Sequence, residues 1–479
     1  MEYPSIKDSQ SLKNKTMLFL GFLFSCNESR FDTREPVLEP VSFDSAKECQ
    51  DCHPQQYKEW SQSMHAYAAK SPVFDAMAQK AYRDTAGEVK TFCTGCHSPL
   101  GEVEGESGAI TADQRSKTAL EGVTCDYCHT SVDHNGIIGN NHLVHTQKDV
   151  KFGPFSDTKS EEHGTEKHDF ITSPELCGSC HDVFAYPSLQ IEQAFTEYTQ
   201  SPSAQQGQRC QDCHMSPDPG VDVPREIAPI AVEEGKTYPD RPRSSHFFVG
   251  PDYSLIDDFP YPNDLEKSAQ AQEEHLLRVE RLLQNAVQIS SLDAQINNSS
   301  LTINLEIESL VQGHRVPTGF TSERQLWIYL RVSDANGEEF FRTGALDANG
   351  DLYDSHSELV ANGTYNPDRY LVNLQSKNWV FSRQYSGNGA LLADIEEQRV
   401  EYETIFPFDA DYIERHSLAP LEKRPLHFQI STNRPSPYKV QATIRYRNLP
   451  PYMLRALHLH SLVERLKIFD IDTQTITVQ

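Results

Sequence analysis

The sequence has few basic residues and few apolar ones for its length. Its 479 residues include 43 basic and 69 acidic side chains, a formal net charge of −26 at neutral pH. Nucleic acid and anionic membrane surfaces are bound through basic patches, so neither is expected as a main partner. Only 37% of residues are hydrophobic, although 10% are aromatic, which argues against disorder. Either this chain of two to four domains is loosely packed, or something besides side chains fills part of its core.

Cysteine is absent after Cys213 and concentrated before it. Ten of the eleven cysteines form five CxxC pairs, and a histidine follows each pair at once. The motifs are CQDCH (Cys49, Cys52, His53), CTGCH (Cys93, Cys96, His97), CDYCH (Cys125, Cys128, His129), CGSCH (Cys177, Cys180, His181) and CQDCH (Cys210, Cys213, His214).

The histidine decides among the chemistries that this cysteine spacing serves. A structural zinc site takes two CxxC pairs per metal, and thioredoxin-type chemistry takes one pair. C-x-x-C-H is the attachment signal of c-type haem, where both thiols bond to the haem vinyl groups and the histidine binds the iron. We therefore predict five covalent haems, held by the ten motif cysteines, with the five motif histidines as proximal iron ligands.

The eleventh cysteine, Cys26, follows the apolar run Met17–Ser25 (MLFLGFLFS). This run is too short to span a bilayer and is typical of a signal-peptide core. The residues LFSC at 23–26 resemble a bacterial lipoprotein box, which implies that Cys26 is lipidated and begins the mature chain. The alternative is an ordinary secretory signal with an incidental cysteine. Both interpretations predict export.

The motifs and the residue periodicity predict an α+β multidomain chain. We expect a signal peptide over 1–25, a tether over 26–44, a pentahaem domain over 45–255, a linker helix over 262–290 and a β-sandwich over 291–479. The pentahaem domain is expected to be mainly helical or irregular, with packed haems in place of a side-chain core. Helices are predicted there over 55–69 and 188–199.

The second half carries clearer periodic signals. Apolar residues recur every three or four positions over 265–287, which predicts an amphipathic helix whose His275 is interpreted as a surface residue. The period then changes to two, as in Leu301–Ile307 and Trp327–Val332, and Asn-Gly pairs follow at 336–337 and 349–350. The acidic residues around the second pair suggest a calcium loop, but its glycine stands at the fourth position rather than the sixth, so a hairpin turn is preferred.

The sixth ligand of each iron decides between electron transfer and chemistry. A second histidine closes the site at low potential, a methionine raises the potential, and an open position admits a substrate. Five closed haems need five such histidines, and the first half has seven beyond the motifs, namely His65, His134, His142, His145, His163, His168 and His246. Met64, Met77 and Met215 are also available, but Met215 directly follows His214 and cannot easily reach the opposite face of that haem.

Several segments within about 45–250 carry a family resemblance: CQDCHPQQYKEWSQSMHA, GVTCDYCHT, FGPFSDTKSEEH, ELCGSCHDV, EYTQSPSAQQGQRCQDCHM and SSHFFVG. In their order they resemble the multihaem cytochromes c, and more narrowly the branch containing the tetrahaem electron acceptor of hydroxylamine oxidoreductase. The resemblance implies distal ligands at His65, His163 and His246. His168 and one of His142 and His145, here taken as His145, are further candidates. His134 stands beside Asn-Gly and is interpreted as a turn residue.

The segments GHRVPTGFTSERQLWIYLRVSD (313–334) and IRYRNLPPYMLRAL (444–457) resemble β-rich C-terminal domains found on some multihaem cytochromes. The first segment contains His314. Two interpretations are open for it, a haem contact and a β-turn residue, and the β-turn is preferred.

Electron transfer through closely spaced, mostly bis-histidine haems is the leading functional hypothesis, in a respiratory or other extracytoplasmic redox chain. The alternative is a multihaem reductase or oxidoreductase of nitrite or hydroxylamine that uses one open haem. Against it, all five motifs end in histidine, whereas ammonia-forming nitrite reductases usually carry C-x-x-C-K at the catalytic haem.

The acidity also predicts how partners bind. Redox partners such as quinol-oxidase-type complexes or other cytochromes are expected to dock through basic surfaces, at rates that fall with salt. The β half is expected to bind a partner, so a chain lacking about 295–479 is expected to incorporate haem but lose partner-dependent reduction. We expect a periplasmic or cell-surface location with a lipid anchor in the outer membrane, because Asn27 rather than aspartate follows Cys26.

Overall fold

The computed structural model describes residues 42–146, 148–185, 189–381 and 401–479. The predicted signal peptide over 1–25, the proposed lipidation site Cys26 and the tether up to residue 41 lie outside these residues. Within the described ranges, no helix is long and apolar enough to cross a membrane.

Short helices joined by irregular segments form the first half. They are α1 Pro54–Ser61, α2 Met64–Tyr67, α3 Pro72–Asp84, α4 Thr94–His97, α5 Pro99–Val103, α6 Cys125–His129, α7 Pro174–Gly178, α8 Ala194–Thr199, α9 Pro202–Gln205 and α10 Cys210–His214. Proline begins α1, α3, α5, α7 and α9, where its fixed φ suits a helix start and its missing N–H costs no hydrogen bond. Single 3₁₀ turns lie at Ala46–Cys49, Ala68–Lys70, Ala119–Glu121 and Asp169–Thr172.

Small two-stranded sheets lie between these helices. The antiparallel pairs are β1 Ser131–Asp133 with β2 Val144–His145, β5 Val183–Ala185 with β6 Leu189–Glu192, and β7 Glu226–Pro229 with β8 Asp240–Arg243. The strands β3 Val150–Gly153 and β4 Gly164–Lys167 pair in parallel.

Both helices predicted in the first half differ from the structure. The helix over 55–69 is interrupted, because extended Ser63 caps α2 by accepting a hydrogen bond from the Ala66 amide at 3.3 Å. The helix over 188–199 is wrong in its first part. Leu189–Glu192 is the strand β6, whose alternating Leu189 and Ile191 side chains fit a strand, and only α8 is helical.

The predicted linker helix is confirmed as α11, Leu265–Gln284. Asp264 caps it by accepting a hydrogen bond from the Lys267 amide at 3.0 Å. Its buried face includes His275, which is 3% exposed, so the interpretation of His275 as a surface residue is wrong. The His275 Nε2 donates to the Asp252 carbonyl oxygen at 3.0 Å, while its buried Nδ1 has no hydrogen-bond partner among the described residues.

The described part of the second half is built mainly of strands. They are β9 Val287–Asn297, β10 Ser300–Ser309, β11 Gln325–Ser333, β12 Glu339–Thr343, β13 Lys377–Phe381, β14 Glu401–Thr404, β15 Tyr412–Glu414, β16 Lys423–Ser431, β17 Tyr438–Arg447 and β18 Phe469–Val478. Short helical elements are α12 Glu358–Ala361, α13 Pro451–Ala456 and 3₁₀ turns at Pro407–Asp409 and His460–Arg465. The sheet orders are β16-β10-β9, β12-β11-β17-β18 and β14-β13-β15, all antiparallel.

One hydrophobic cluster lies between the three-stranded sheet of β9, β10 and β16 and the four-stranded sheet of β11, β12, β17 and β18. Alternate residues of β10 supply its first side, and β11 and β17 supply the second, as the period of two predicts. The fully buried members include Leu301, Ile303, Leu305, Leu330, Val332 and Val440. Val279 and Leu283 of α11 join the same cluster, so the helix packs against the sheets.

The predicted turn between β11 and β12 forms at Ser333–Gly337, where Gly337 has a φ of 80°. The acidic turn at 347–351 also forms as predicted. The Asp347 carboxylate accepts hydrogen bonds from the Asn349 and Asp351 amides at 2.8 and 2.9 Å, and Asp351 pairs with Arg455. These carboxylates therefore serve the turn and its packing rather than a calcium site.

Candidate functional site

Each CxxCH motif adopts a helical turn. The last four residues of the second motif lie in α4, and the third and fifth motifs are α6 and α10 themselves. Residues three and four apart share one face of a helix, so both cysteines and the histidine point to the same side. The first motif follows the 3₁₀ turn Ala46–Cys49, and the fourth overlaps the end of α7.

A single cavity of about 2740 Å³ is lined by all ten motif cysteines and all five motif histidines. Pockets for one drug-sized ligand measure about 300–1,000 Å³, so this cavity has room for several large groups. In the described part of the chain, no three His, Cys, Asp or Glu side chains converge to hold a bare metal ion. These observations fit covalent haems and argue against the zinc interpretation of the cysteines.

Motifs far apart in sequence meet at their sulfurs. The thiols of Cys49 in the first motif and Cys125 in the third lie close enough that Cys125 lowers the pKa of Cys49 and Cys49 raises the pKa of Cys125. Cys177 of the fourth motif likewise raises the pKa of Cys210 of the fifth. Groups attached at these cysteines therefore lie next to each other as a first–third pair and a fourth–fifth pair.

The protonation of three motif histidines is fixed by backbone carbonyl groups. The Nδ1 atoms of His53, His129 and His214 lie 2.8, 2.6 and 3.2 Å from the carbonyl oxygens of Ile230, Phe152 and Val249. A carbonyl oxygen can only accept, so each Nδ1 carries the proton. The Nε2 atom of each ring is thereby left as an iron ligand.

His181 has a carboxylate in place of the carbonyl. Its Nδ1 donates to Glu192 Oε1 at 3.3 Å. Burial alone would lower the pKa of His181, but the hydrogen bond and charge of Glu192 outweigh it and raise that pKa. Such a carboxylate partner also makes the imidazole a stronger electron donor to a metal.

The remaining motif histidine, His97, packs against an aromatic ring. Its imidazole is stacked on Phe74, with ring centroids 4.4 Å apart and planes 6° apart. Burial lowers the pKa of His97 to about 4, so the ring is neutral. Arg115 lies over the same Phe74 ring, 5.0 Å from its centroid.

Nine of the 19 histidines line the cavity, and all 19 lie in the described residues. Five belong to the motifs, and the other four are His65, His163, His246 and His314. Of the seven further histidines in the first half, only three line the cavity, which is fewer than the five that five closed haems need. The second half adds a fourth, His314.

Two of these four histidines face a motif histidine at the separation expected of an iron ligand pair. The ring centroids of His65 and His181 are 6.3 Å apart, and those of His314 and His214 are 6.0 Å apart. Two imidazoles that each bind one metal through a nitrogen at about 2 Å have ring centres about 6 Å apart.

The other two histidines, His163 and His246, lie near motif histidines and form hydrogen bonds with backbone carbonyl groups. Burial, with a smaller effect of the charge of His163, lowers the pKa of His53. Burial followed by the charge of His129 lowers the pKa of His246 to about 4. The Nδ1 atoms of His163 and His246 lie 2.9 and 3.0 Å from the carbonyl oxygens of Gly164 and Ser244. Both rings are thus tautomers with a free Nε2, as an iron ligand must be.

Two predicted distal candidates, His145 and His168, are not among the cavity-lining residues. The ring of His145 packs against Phe43 and Tyr127, with centroids 4.9 and 4.5 Å away. The Nδ1 of His168 accepts a hydrogen bond from the Phe170 amide at 3.3 Å and so caps a 3₁₀ turn. The prediction that His145 and His168 bind iron therefore gains no support from the cavity, and our proposal does not use them.

Comparisons with known proteins agree with this geometry. The family model for cytochrome c554 and c-prime matches residues 48–130, which contain the first three motifs. The solved structure of a penta-haem cytochrome c552 from Thermochromatium tepidum has a similar fold, with a TM-score of 0.58 and 17% sequence identity over 91% of this chain and 100% of that one. No protein of curated function matches.

Residues 48–130 therefore resemble c-type cytochromes in sequence, and the chain as a whole resembles a penta-haem cytochrome in fold.

Sequence reasoning missed two residues of the cavity wall and preferred a turn role for a third. Glu192 and Glu323 line the cavity, and neither belongs to a motif. His314 was interpreted as a β-turn residue, but it also lines the cavity. The only signal for His314 was its place in a segment that resembles domains of other multihaem cytochromes.

Glu323 is a buried acid whose carboxyl oxygen Oε1 has no hydrogen-bond partner in the described structure. Burial raises the pKa of Glu323 to about 8, against the opposing charge of Arg324 and with help from Asp252 and Glu192. Asp252 and Glu192 also act on the pKa of His97. Asp252 and Glu192 therefore act on the pKa of both Glu323 and His97.

Proposed function

We propose that this cytochrome carries electrons through five covalent haems, four of them with two histidine ligands. When bound, haem supplies an iron that alternates between the ferric and ferrous states. The observation that carries the proposal is the one cavity that joins five attachment motifs with four further histidines. The solved penta-haem neighbour supports the number five.

The proposed ligand pairs are His53 with His163, His129 with His246, His181 with His65, and His214 with His314. Cys49 and Cys125 lie close enough to shift each other's pKa, and Cys177 raises the pKa of Cys210, which supports attachment of the first haem next to the third and of the fourth next to the fifth. Burial, followed by the charges of His181, His214 and His97, lowers the pKa of His65 to about 3. His65 therefore lies near both His97 and His181, which supports attachment of the second haem beside the fourth. Haems this close pass electrons along a chain, and the protein sets their potentials through ligands and burial.

Outside the haem cavity, the proposal covers export and partners. The apolar run before Cys26 supports export to the periplasm or cell surface and lipid anchoring there, with the outer membrane as the proposed site. The net charge of −26 supports docking of redox partners through basic surfaces, and the β half offers a second surface for them.

The ligand assignment predicts the ferric spectrum of the purified protein. Electron paramagnetic resonance is expected to show four low-spin bis-histidine haems and one haem of different ligation. His65→Ala should convert one more haem to high spin, because it removes the partner of His181. His168→Ala is the matched control and should leave the spectrum unchanged. A change in the control but not in His65→Ala would refute the assignment.

A second candidate function is reduction or oxidation of a small nitrogen compound at the haem of His97. Four cavity histidines cannot serve five irons, and the proposed pairs leave His97 without a histidine opposite it. A haem iron with an open position binds small nitrogen compounds and exchanges electrons with them. The buried carboxyl of Glu323 would hold a proton for such a reaction near neutral pH, because its pKa is raised to about 8.

This second function predicts a pH dependence. Turnover of nitrite or hydroxylamine with a reduced donor should fall as the pH rises through about 8, because Glu323 loses its proton there. Glu323→Gln should slow turnover about 10²–10⁴-fold, the usual contribution of a general acid. Glu338→Gln, at an exposed position of the same half, is the control. Absent turnover, or equal rates in both variants, would leave electron transfer as the only function.

A further inference from the structure

We propose that His314, from the C-terminal half, is the second axial ligand of the haem attached at Cys210 and Cys213. The inference rests on the proposed haem attachment but does not depend on electron transfer. It assigns to the β-rich half a direct part in the coordination of a haem that the N-terminal half attaches.

The ring geometry carries the assignment. The imidazoles of His314 and His214 are 6.0 Å apart between centroids and only 21° from parallel. This separation leaves room for one metal atom between two nitrogens at about 2 Å each. Both side chains line the haem cavity.

Hydrogen bonds leave the same nitrogen available on both rings. The Nδ1 of His314 lies 2.8 Å from the Arg315 carbonyl oxygen, and that of His214 lies 3.2 Å from the Val249 carbonyl oxygen. Because both carbonyl groups accept, both Nδ1 atoms carry protons and both Nε2 atoms have lone pairs. This is the usual arrangement of a metal-bound histidine.

The segment that carries His314 is anchored to both halves. Glu197 of α8 accepts hydrogen bonds from the Arg315 amide at 3.1 Å and from the Thr318 hydroxyl at 2.6 Å. On the other side, Val316 exchanges backbone hydrogen bonds with Leu418 at 2.9 and 2.8 Å. His314 is therefore held in position by contacts on both sides, which lowers the entropic cost of its binding iron.

The local sequence supports a ligand from the second half for the haem attached at Cys210 and Cys213. Met215 is the nearest potential ligand along the chain, but it directly follows His214. His65, another histidine of the first half that lines the cavity, faces His181 at the ligand-pair distance. His314 fills the position that the first half leaves open.

The test is ferric spectroscopy on full-length variants with intact-mass counting of haems. His314→Ala should keep every haem attached and raise the high-spin fraction by one haem in five, and added imidazole should restore low spin. His314→Met should stay low spin with a raised potential for that haem, since methionine ligation raises it. His416→Ala, whose Nδ1 also lies near a carbonyl oxygen but which does not line the cavity, should match the parent.

The outcomes separate this inference from the proposed function. If both His314 variants keep the parent spectrum and potentials with every haem attached, His314 is not a ligand, the proposed bis-histidine haems number three rather than four, and attachment of five haems stands. If His314→Ala gains high-spin haem that imidazole does not reverse, and His416→Ala does the same, the effect is structural and the inference fails. If the parent carries no haem at Cys210 and Cys213, both the inference and the five-haem proposal fail.

Discussion

A chain that ends at residue 290 is expected to lose the low-spin state of at least one haem and much of its thermal stability. The sequence-based expectation that a chain lacking about 295–479 still incorporates haem stands as a prediction, and the structure adds that haem ligation and stability depend on the second half. The cavity wall includes His314, Leu326, Tyr446 and Leu449 from the C-terminal half. Removing that half would open the haem cavity to water as well as remove a proposed ligand.

Packing between the halves sets the size of the stability loss. Val73, Tyr253 and Leu255 share a buried cluster with Phe406, Leu449, Leu454 and other residues of the C-terminal half. Exposing each of the first three side chains costs about 1.5–3 kcal/mol. Arg324 also donates to both carboxylate oxygens of Asp252, at 2.9 and 3.0 Å, across the same boundary.

The truncated chain should be measured by its haem count, ferric spectrum and thermal unfolding midpoint, beside full-length His314→Ala. The point variant separates the loss of a ligand from the opening of the cavity, since it should change the spectrum with little change in the midpoint. A truncated chain with the parent's spectrum and midpoint would show that the haem half folds alone.

The attachment chemistry could be predicted from sequence because it is local. Each motif is five residues long, and its helical turn alone brings two sulfurs and one imidazole to one side. The strands were predictable for a similar reason, since alternation in Leu301–Ile307 already marks a half-buried strand. Elements whose signal is confined to a few neighbouring residues were therefore found.

The distal ligands depend on contacts that no local pattern contains. His314 and His214 are separated by 100 positions, and the pairing follows only from how the 313–324 segment crosses to Glu197. His145 and His168 look the same in sequence as the histidines that line the cavity, but in the structure their rings contact neighbouring residues. His275 was misjudged because its buried partner, the Asp252 carbonyl, precedes it by 23 residues.

The low apolar content also has a structural explanation. The main hydrophobic cluster of the second half includes a buried side chain at every second position of β10. The clusters in the first half are small, such as Ala46, Trp60, Ala66, Tyr67 and Phe259, and they lie around the cavity. Porphyrin rings would occupy the space that side chains fill in an ordinary core, so the first half needs fewer apolar residues.

Arg115 anchors the wall beside His97 through a buried network. Its Nη1 donates to Asp75 Oδ1 at 2.7 Å and to the Ala69 carbonyl at 2.8 Å, and its side chain is fully buried. The guanidinium lies over Phe74, which in turn is stacked on His97. The position of this proximal ligand therefore depends on an ion pair that local sequence did not reveal.

Arg115→Ala is expected to reduce the free energy of unfolding by about 3–5 kcal/mol, because it leaves the Asp75 carboxylate buried without its partner. Arg281→Ala is the matched control, since Arg281 donates twice to Asp218 at 2.9 Å but is 53% exposed. The loss of an exposed pair costs about 0–1 kcal/mol. Guanidinium unfolding followed by far-ultraviolet circular dichroism measures both. Equal losses of unfolding free energy in the two variants would mean that burial does not strengthen the Arg115–Asp75 ion pair. A large loss for Arg115→Ala alone, with an altered spectrum of one haem, would tie the network to the ligation by His97.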